Sequence, residues 1–305
     1  MSCEISIIVL SFNREKLLVE TVRSILNQTF KDFELIIIND GSTDNTEVVV
    51  RSFEDERIRY ISRERSGNLS TLRNLGISLA KGNYISFCDD DDLWRIDKLE
   101  IQKKYLEEFD AVCSNSIDID FKGNVIKELH YTNFTKDFKV TNEYLMSNGN
   151  MVLTPSLIFK KKIIENMKSP FDEKKFTNYC EDFNFVLKLT EKSDIIFINK
   201  PLIYVRFHES ISSGVDNNIK MVKAGIEILN EYKSKYEESK IKKKNINKGI
   251  IEYKIYLLKL YYKKNLVSGL KGSICFVMDL AEPGLLKAFL YKIKKRIDGN
   301  QIGVN

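Results

Sequence analysis

The sequence predicts an α/β fold: a mostly parallel, Rossmann-like sheet flanked by helices, followed by a basic helical C-terminal extension. Three observations predict it. Apolar runs of strand length alternate with helix-periodic segments through the first hundred residues. Unusual polar stretches follow three of those runs. Beyond residue 213 the chain turns rich in Lys, Tyr and Leu and is helical in period.

"ISIIVL" (Ile5 to Leu10) is a buried-strand run, and Asn13 is placed to cap a helix in which Leu18, Val22, Ile25 and Leu26 recur at helical spacing. "FELIII" (Phe33 to Ile38) is a second strand, closed by "NDGSTDNT", where Asp44 can start the next helix. "RIRYI" reads as a third strand, and Leu69 to Ala80 as a helix ended by Lys81-Gly82. "YISFC" is a fourth strand, and Ile96 to Phe109 a helix. This βαβαβαβα order implies a parallel sheet covered on both faces, whose ligands bind at the carboxyl ends of the strands. Ser11-Phe12-Asn13, Asn39-Asp40-Gly41-Ser42 and Asp89 to Asp92 stand at such ends. The middle offers strand candidates in "AVCSNSIDI", "SLIFK" and "DIIFI", and a helix starting near Glu181. The expected division is 1–213 for the α/β domain, with halves 1–110 and 111–213, and 214–305 for the helical region.

Composition narrows the function classes. The chain has 305 residues, a net charge of +5 and an odd five cysteines without C-x-x-C spacing. That argues for a reducing cytosol and against a disulfide frame or zinc site. No signal peptide is expected at the N-terminus, and the longest apolar stretch, Leu266 to Leu280, is broken by Lys271 and Asp279. Val215 to Asn305 carries 19 Lys and Arg against 9 Asp and Glu, while the remainder is mildly acidic. Such a split points to an anionic surface. In "PGLLKAFLYKIKKRID", Leu286, Phe289, Leu290, Ile293 and Ile297 form an apolar stripe among lysines. A membrane headgroup layer suits that stripe and nucleic acid does not, so the expected location is cytoplasmic and peripheral on the inner face of the membrane.

The chemistry centres on "YISFCDDDDLW", four aspartates directly behind a buried strand. Two carboxylates about 5 Å apart repel by roughly 3 kcal/mol at an effective dielectric of 20. A solvated loop, a calcium site and a divalent cation carrying a diphosphate are the three readings. Calcium wants six to eight oxygens and a glycine-containing loop, absent here. Mg²⁺ or Mn²⁺ with a diphosphate needs only one or two carboxylates. Neither G-x-G-x-x-G nor G-x-x-x-x-G-K-[ST] occurs, so phosphates must be met by a metal and basic side chains. Only His130 and His208 exist, without a G-x-S-x-G elbow, which disfavours a serine triad; His130 is expected at the surface.

The stretches "SIIVLSFNREKLLVETVRSILNQTFKDFELIIINDGSTDNT" and "LSTLRNLGISLAKGNYISFCDDDDLW" resemble the nucleotide-binding half of family 2 glycosyltransferases, which have the GT-A fold. The resemblance resumes at "FDEKKFTNYCEDFNFVLKL" and "YVRFHESISS". It implies a nucleotide site of Ser11, Phe12 (packing on the base), Asp40 (accepting from uracil N3–H), Arg73, Asp89 and Asp90, the last at the motif's variable position. Asp91 with His208 would hold the metal, Mn²⁺ or Mg²⁺. Asp92 and Trp94 would lie near the sugar pocket, and Asp182 of the Glu181-Asp182 pair would be the general base.

The implied activity is metal-dependent, inverting transfer of a sugar from a nucleotide-sugar, expected to be a UDP-sugar. The implied acceptor is a glycan or lipid-linked glycan of a capsule, O-antigen or similar pathway, with no nucleic acid partner. A non-catalytic sugar-nucleotide scaffold of the same fold would require loss of the base or metal ligands, and both are present. A nucleotidyltransferase would want a glycine-rich phosphate loop near the N-terminus.

Overall fold

In a computed structural model of the chain, residues 3–207 and 214–300 are described, apart from the side chains of 293–300. Two units emerge, one of Met1–Thr141 with Val152–His208, the other of Asn142–Met151 with Glu209–Asn305.

The first unit follows the predicted alternation. β1 (Ile5–Ser11), α1 (Glu15–Leu26), β2 (Phe33–Asp40), α2 (Thr46–Arg51), β3 (Ile58–Arg63), α3 (Leu69–Leu79) and β4 (Tyr84–Asp89) come in order. β5 (Leu93–Trp94), α4 (Lys98–Leu106), β6 (Ala111–Ile119), β7 (Val125–Lys127) and β8 (Phe138–Val140) follow, then β9 (Ile158–Lys160), α6 (Glu181–Thr190) and β10 (Ile195–Arg206). The sheet order is β3-β2-β1-β4-β9-β6-β10-β5, with β7 on β6 and β8 on β10. β1 to β4 are parallel, as expected. The sheet as a whole is mixed, because three-residue β9 enters antiparallel between β4 and β6, and β5 runs antiparallel to β10. "SLIFK" is therefore the strand that joins the two parallel halves.

Register places the chemistry. Ser11 stands opposite Asn39 and Leu10 opposite Asp89, so the three polar stretches share one edge. Alternate residues point to opposite faces. Ile5, Ile7 and Val9 pack with Leu18, Val22 and Ile25 of α1 in one core. On the other face Ile8 meets α3 so closely that a Cβ at Gly76 would lie 2.5 Å from Ile8 Cγ2.

Of the two expected caps, Asp44 holds the start of α2, its Oδ1 accepting from the Thr46 amide at 3.1 Å, while Asn13 serves the neighbouring loop. Asn13, at φ +53°, does not cap α1. Its Oδ1 accepts from the Thr43 amide at 2.8 Å, while the Glu15 amide in the first turn of α1 donates to Asp44 Oδ2 at 3.1 Å. The loops after β1 and β2 thus complete each other's backbone hydrogen bonds.

The second unit is helical: α5 (Asn142–Asn148), α7 (Val215–Lys235), α8 (Lys240–Lys264), α9 (Leu266–Asp279) and α10 (Pro283–Asn300). It recruits α5 from the middle of the chain, since Gly249 of α8 has no side chain to block the Met146 carbonyl. Gly269 and Gly272 let α9 lie against Tyr261 and Tyr262 of α8. The opposite face of α9 presents Leu266, Val267, Leu270, Ile274, Val277 and Met278, each 54–70 % exposed. In α10, Phe289 packs edge-on to Phe276 at 5.5 Å, so the expected stripe is partly turned inward, and Ile293 and Ile297 lie outside the described side chains. Among the described residues no helix is long and apolar enough to cross a membrane.

One buried charge tests the sheet's N-terminal edge. Glu34, 6 % exposed, accepts from Ser6 Oγ, the Lys81 amide and Arg59. Burial alone would raise its carboxyl, and these donors hold it below the usual range. Ser6 Oγ in turn accepts from the Gly82 amide at 2.8 Å, and a Cβ on Gly82 would lie 2.7 Å from the Ser6 nitrogen. Gly82→Ala should therefore lower the urea midpoint by an equivalent of about 1–3 kcal/mol, the usual cost of overpacking. An unchanged midpoint would show that this edge can yield.

Candidate active site

Four loops of the first unit meet at the carboxyl edge of the sheet. The Asp40 side chain is 3 % exposed. Its Oδ1 accepts from the Ser66 amide at 2.8 Å and Ser66 Oγ at 2.9 Å, and its Oδ2 from the Gly67 amide at 2.9 Å and from the Arg65 guanidinium. Burial would raise this carboxyl; the Ser66 and Gly67 amides outweigh it and keep Asp40 ionised. Ser11 is buried and Phe12 half-buried beside it, with the Arg65 guanidinium 3.5 Å from the Phe12 ring centroid.

The aspartates divide by environment. Asp89 keeps 49 % of its side chain open, with Arg73 Nη2 at 3.9 Å. Asp91 pairs directly with Arg14, which also stands 3.8 Å from Asp90. Partial burial among the packed loops and then the neighbouring Asp91 push Asp89 up to about 6 against the pull of Arg73, and the open half of its side chain tempers that rise. Asp90 is pushed to about 7, again by burial first and with Arg14 opposing.

Asp92 differs from expectation. It is 3 % exposed and turned inward. Its Oδ1 accepts from the Arg206 amide at 2.9 Å and its carbonyl from Thr21 Oγ1 at 2.8 Å. Burial and then Asp89 and Asp91 raise its carboxyl well above the usual range. Asp92 anchors the loop and has no open face for a sugar. Trp94, at 3 % exposure, packs in the core with Leu18 and Val22, with the buried Lys98 Nζ 3.7 Å from its ring centroid. One face of the indole is covered by Lys98 at the start of α4.

Arg206 is the residue that sequence reasoning missed. Its side chain is 1 % exposed. Nε donates to the Asp91 carbonyl at 2.9 Å, Nη1 to the Phe121 carbonyl at 2.8 Å and Nη2 to Glu20 at 2.7 Å. One guanidinium thus ties the acidic loop to the β6–β7 turn and to α1. Its only signal was "YVRFH", two residues before His208. His208 itself lies outside the described residues. His130 is half-buried rather than superficial, with Nδ1 2.9 Å from Asp118.

Glu181 and Asp182 open α6 behind Cys180, whose φ of +60° turns the chain sharply. Glu181 is 7 % exposed and accepts from Arg73 Nη1 at 2.5 Å. Arg73 thereby touches both the α6 terminus and Asp89. Asp182 is the more open of the pair. Burial and the Glu181 charge push it up to about 6, against the pull of Arg73. A carboxylate in that range can accept a proton at neutral pH.

Among the described residues no three His, Cys, Asp or Glu side chains converge as a metal cage. The donor set still suits a hard divalent cation that takes one or two carboxylates and fills its shell from phosphate and water. Asp89 and Asp90, both lifted by burial and by Asp91, mark an excess of negative charge that such a cation would relieve.

Residues 6–167 match the family model described as Glycosyl transferase family 2. An uncharacterized glycosyltransferase of Rickettsia conorii is 33 % identical over 220 residues, 70 % of this chain but 35 % of that protein, so the chain spans about a third of it. A Campylobacter jejuni protein named GalNAc(5)-diNAcBac-PP-undecaprenol beta-1,3-glucosyltransferase is 31 % identical over 273 residues, covering 86 % of this chain and 83 % of that one. The fold matches Staphylococcus aureus TarS 1-349 in complex with UDP-GlcNAc at a TM-score of 0.71 and 19 % identity, over 90 % of this chain and 80 % of that one. The α/β unit with its acidic strand end and the α6 carboxylate pair is thus the catalytic-domain fold of known transferases, and the chain belongs to glycosyl transferase family 2.

Proposed function

We propose that this chain is a metal-dependent inverting glycosyltransferase that moves a sugar from a UDP-sugar to a hydroxyl of a growing, lipid-linked cell-surface glycan. The observation that carries the reading is Arg73, which joins the acidic end of β4 to the carboxylate pair of α6 in one buried network. In support, a fold neighbour is titled as a UDP-GlcNAc complex, and a relative is named for an undecaprenol-diphosphate acceptor.

The residues divide the work. Phe12 and Asp40 would bind the base, the ring by stacking and the carboxylate by accepting an imide N–H. Asp89 and Asp91 would hold Mn²⁺ or Mg²⁺, and Arg14 and Arg73 would lie beside the diphosphate. When bound, that cation supplies Lewis-acid stabilisation of the departing nucleoside diphosphate. Asp182 would take the proton of the acceptor hydroxyl as its oxygen attacks the anomeric carbon, with inversion. Glu181, held by Arg73, would raise the basicity of Asp182 through its charge and fix the α6 terminus.

The location that fits a lipid-linked acceptor is the membrane surface, through the helical unit. Among the described residues its broadest exposed apolar face is that of α9, with Lys271 on its flank, and Leu286 and Leu290 of the expected α10 stripe are exposed as well.

Release of UDP from a UDP-sugar without pyrophosphate checks the reaction class. Asp182→Asn should cut turnover by roughly 10²–10⁴-fold while UDP affinity stays near that of the unsubstituted chain. Because only the ionised carboxyl is a base, kcat/KM should rise with pH through about 6, a limb that the variant lacks. Collapse of UDP affinity together with rate would place Asp182 in the nucleotide site instead. Calorimetry should show Mn²⁺ strengthening UDP binding in the unsubstituted chain and failing to do so in Asp91→Ala; equal UDP affinity with and without EDTA would contradict the metal assignment. The chain should pellet with phosphatidylglycerol vesicles at low salt, and Leu270→Glu with Ile274→Glu should leave it in the supernatant. Equal sedimentation of both proteins would rule out α9 as the contact.

A further inference from the structure

We infer that Arg65 is an internal competitor for the nucleobase, and that it sets the affinity of the donor site. The inference rests on the proposed placement of the base against Phe12 and Asp40.

The guanidinium of Arg65 makes two contacts at once. Its carbon lies 3.5 Å from the centroid of the Phe12 ring, and an Nη1–H donates to Asp40 Oδ2. A guanidinium is flat, delocalised and edged with in-plane N–H donors, and it stacks on aromatic faces. A pyrimidine or purine base shares those properties, lacking only the charge. Arg65 therefore satisfies the ring and the carboxylate in the way a base would.

The carboxylate cannot serve both. A carboxylate has about four acceptor positions. At Asp40 three are taken by the Ser66 amide, Ser66 Oγ and the Gly67 amide, all within the loop that also carries Arg65. The fourth, on Oδ2, is the one that Arg65 uses. With an Asp40 side chain only 3 % exposed, a base reaches that oxygen only from the side on which the guanidinium lies. The backbone contacts do not have to move. Gly41 has φ +73°, and a Cβ there would lie 2.6 Å from the Arg65 nitrogen, so the two loops are seated closely. The Arg65 side chain is 43 % exposed and can turn outward without disturbing them.

Two consequences follow. Base binding is weakened by the contacts that Arg65 must give up, so removing the guanidinium tightens nucleotide rather than loosening it. And a single vacated acceptor position takes one N–H, as the imide of uracil or thymine offers, and not the adjacent donor pair of guanine.

Calorimetric titration of the full chain with UDP, uridine and GDP tests this. Arg65→Ala should tighten UDP and uridine by the same factor, about fivefold for a stacked cation at a half-open site, and leave GDP the weaker ligand. Weakened uridine binding in Arg65→Ala, or GDP binding as tightly as UDP, would overturn the proposal. Phe12→Ala and Asp40→Asn examine the underlying placement separately. Both should weaken UDP, and if neither does, the base binds elsewhere whatever Arg65→Ala shows. A second measurement needs no variant. In the unsubstituted chain, saturating uridine should shift the Arg65 δ-proton resonances downfield as they leave the shielding of the Phe12 ring. Unmoved resonances at saturation would contradict displacement.

Discussion

The arrangement of this site depends on the repulsion among four consecutive carboxylates at the end of a buried strand. At roughly 3 kcal/mol per adjacent pair, that repulsion rivals a large share of the stability of an ordinary domain. The fold meets it from three directions. Arg14, after β1, takes Asp91 and faces Asp90. Arg73, from α3, faces Asp89. Arg206, from the last strand of the unit, fixes the Asp91 backbone through its guanidinium and the Asp92 carboxylate through its amide. What remains is an acidic edge whose carboxyls are lifted toward neutrality by burial, the condition under which a divalent cation and a diphosphate are welcome.

The same cations organise the catalytic half. Because Arg73 is buried and shared between Asp89 and Glu181, the acidic end of β4 and the start of α6 are one electrostatic unit. Breaking such a pair from one side leaves an uncompensated buried charge, which is far costlier than never having the pair. The division of labour between Glu181 and Asp182 follows from burial, not from residue type. The buried member is consumed in holding Arg73, and the more open member keeps a raised carboxyl.

Much of this was legible in the sequence, because parallel βαβ units write themselves as alternating apolar runs and helical periods. β1 through β4 and the acidic strand end are of this kind. What was not legible depends on contacts distant in sequence. Nothing local in "SLIFK" says that three residues will run antiparallel and join two halves of a sheet. Asn13 is a good cap residue by local rule, yet it serves the loop after β2, and Asp44 starts its own helix while also taking the Glu15 amide of α1. Trp94 and Asp92 sit in a motif in which Asp89 is half open, and only the packing of Lys98 and the reach of Arg206 show them turned inward. α5 joins the C-terminal helices through the missing side chain of Gly249, a steric fit that no periodicity reports.

The central claim is that the acidic end of β4 holds a cation together with the diphosphate of the donor. Anomalous diffraction at the manganese edge, from crystals of the chain grown with Mn²⁺ and UDP, tests it most directly. The account predicts a single strong peak bonded to carboxylate oxygens of Asp89 or Asp91 and to phosphate oxygens of UDP. A diphosphate bound at this edge with no manganese peak, or a peak remote from both aspartates, would contradict it.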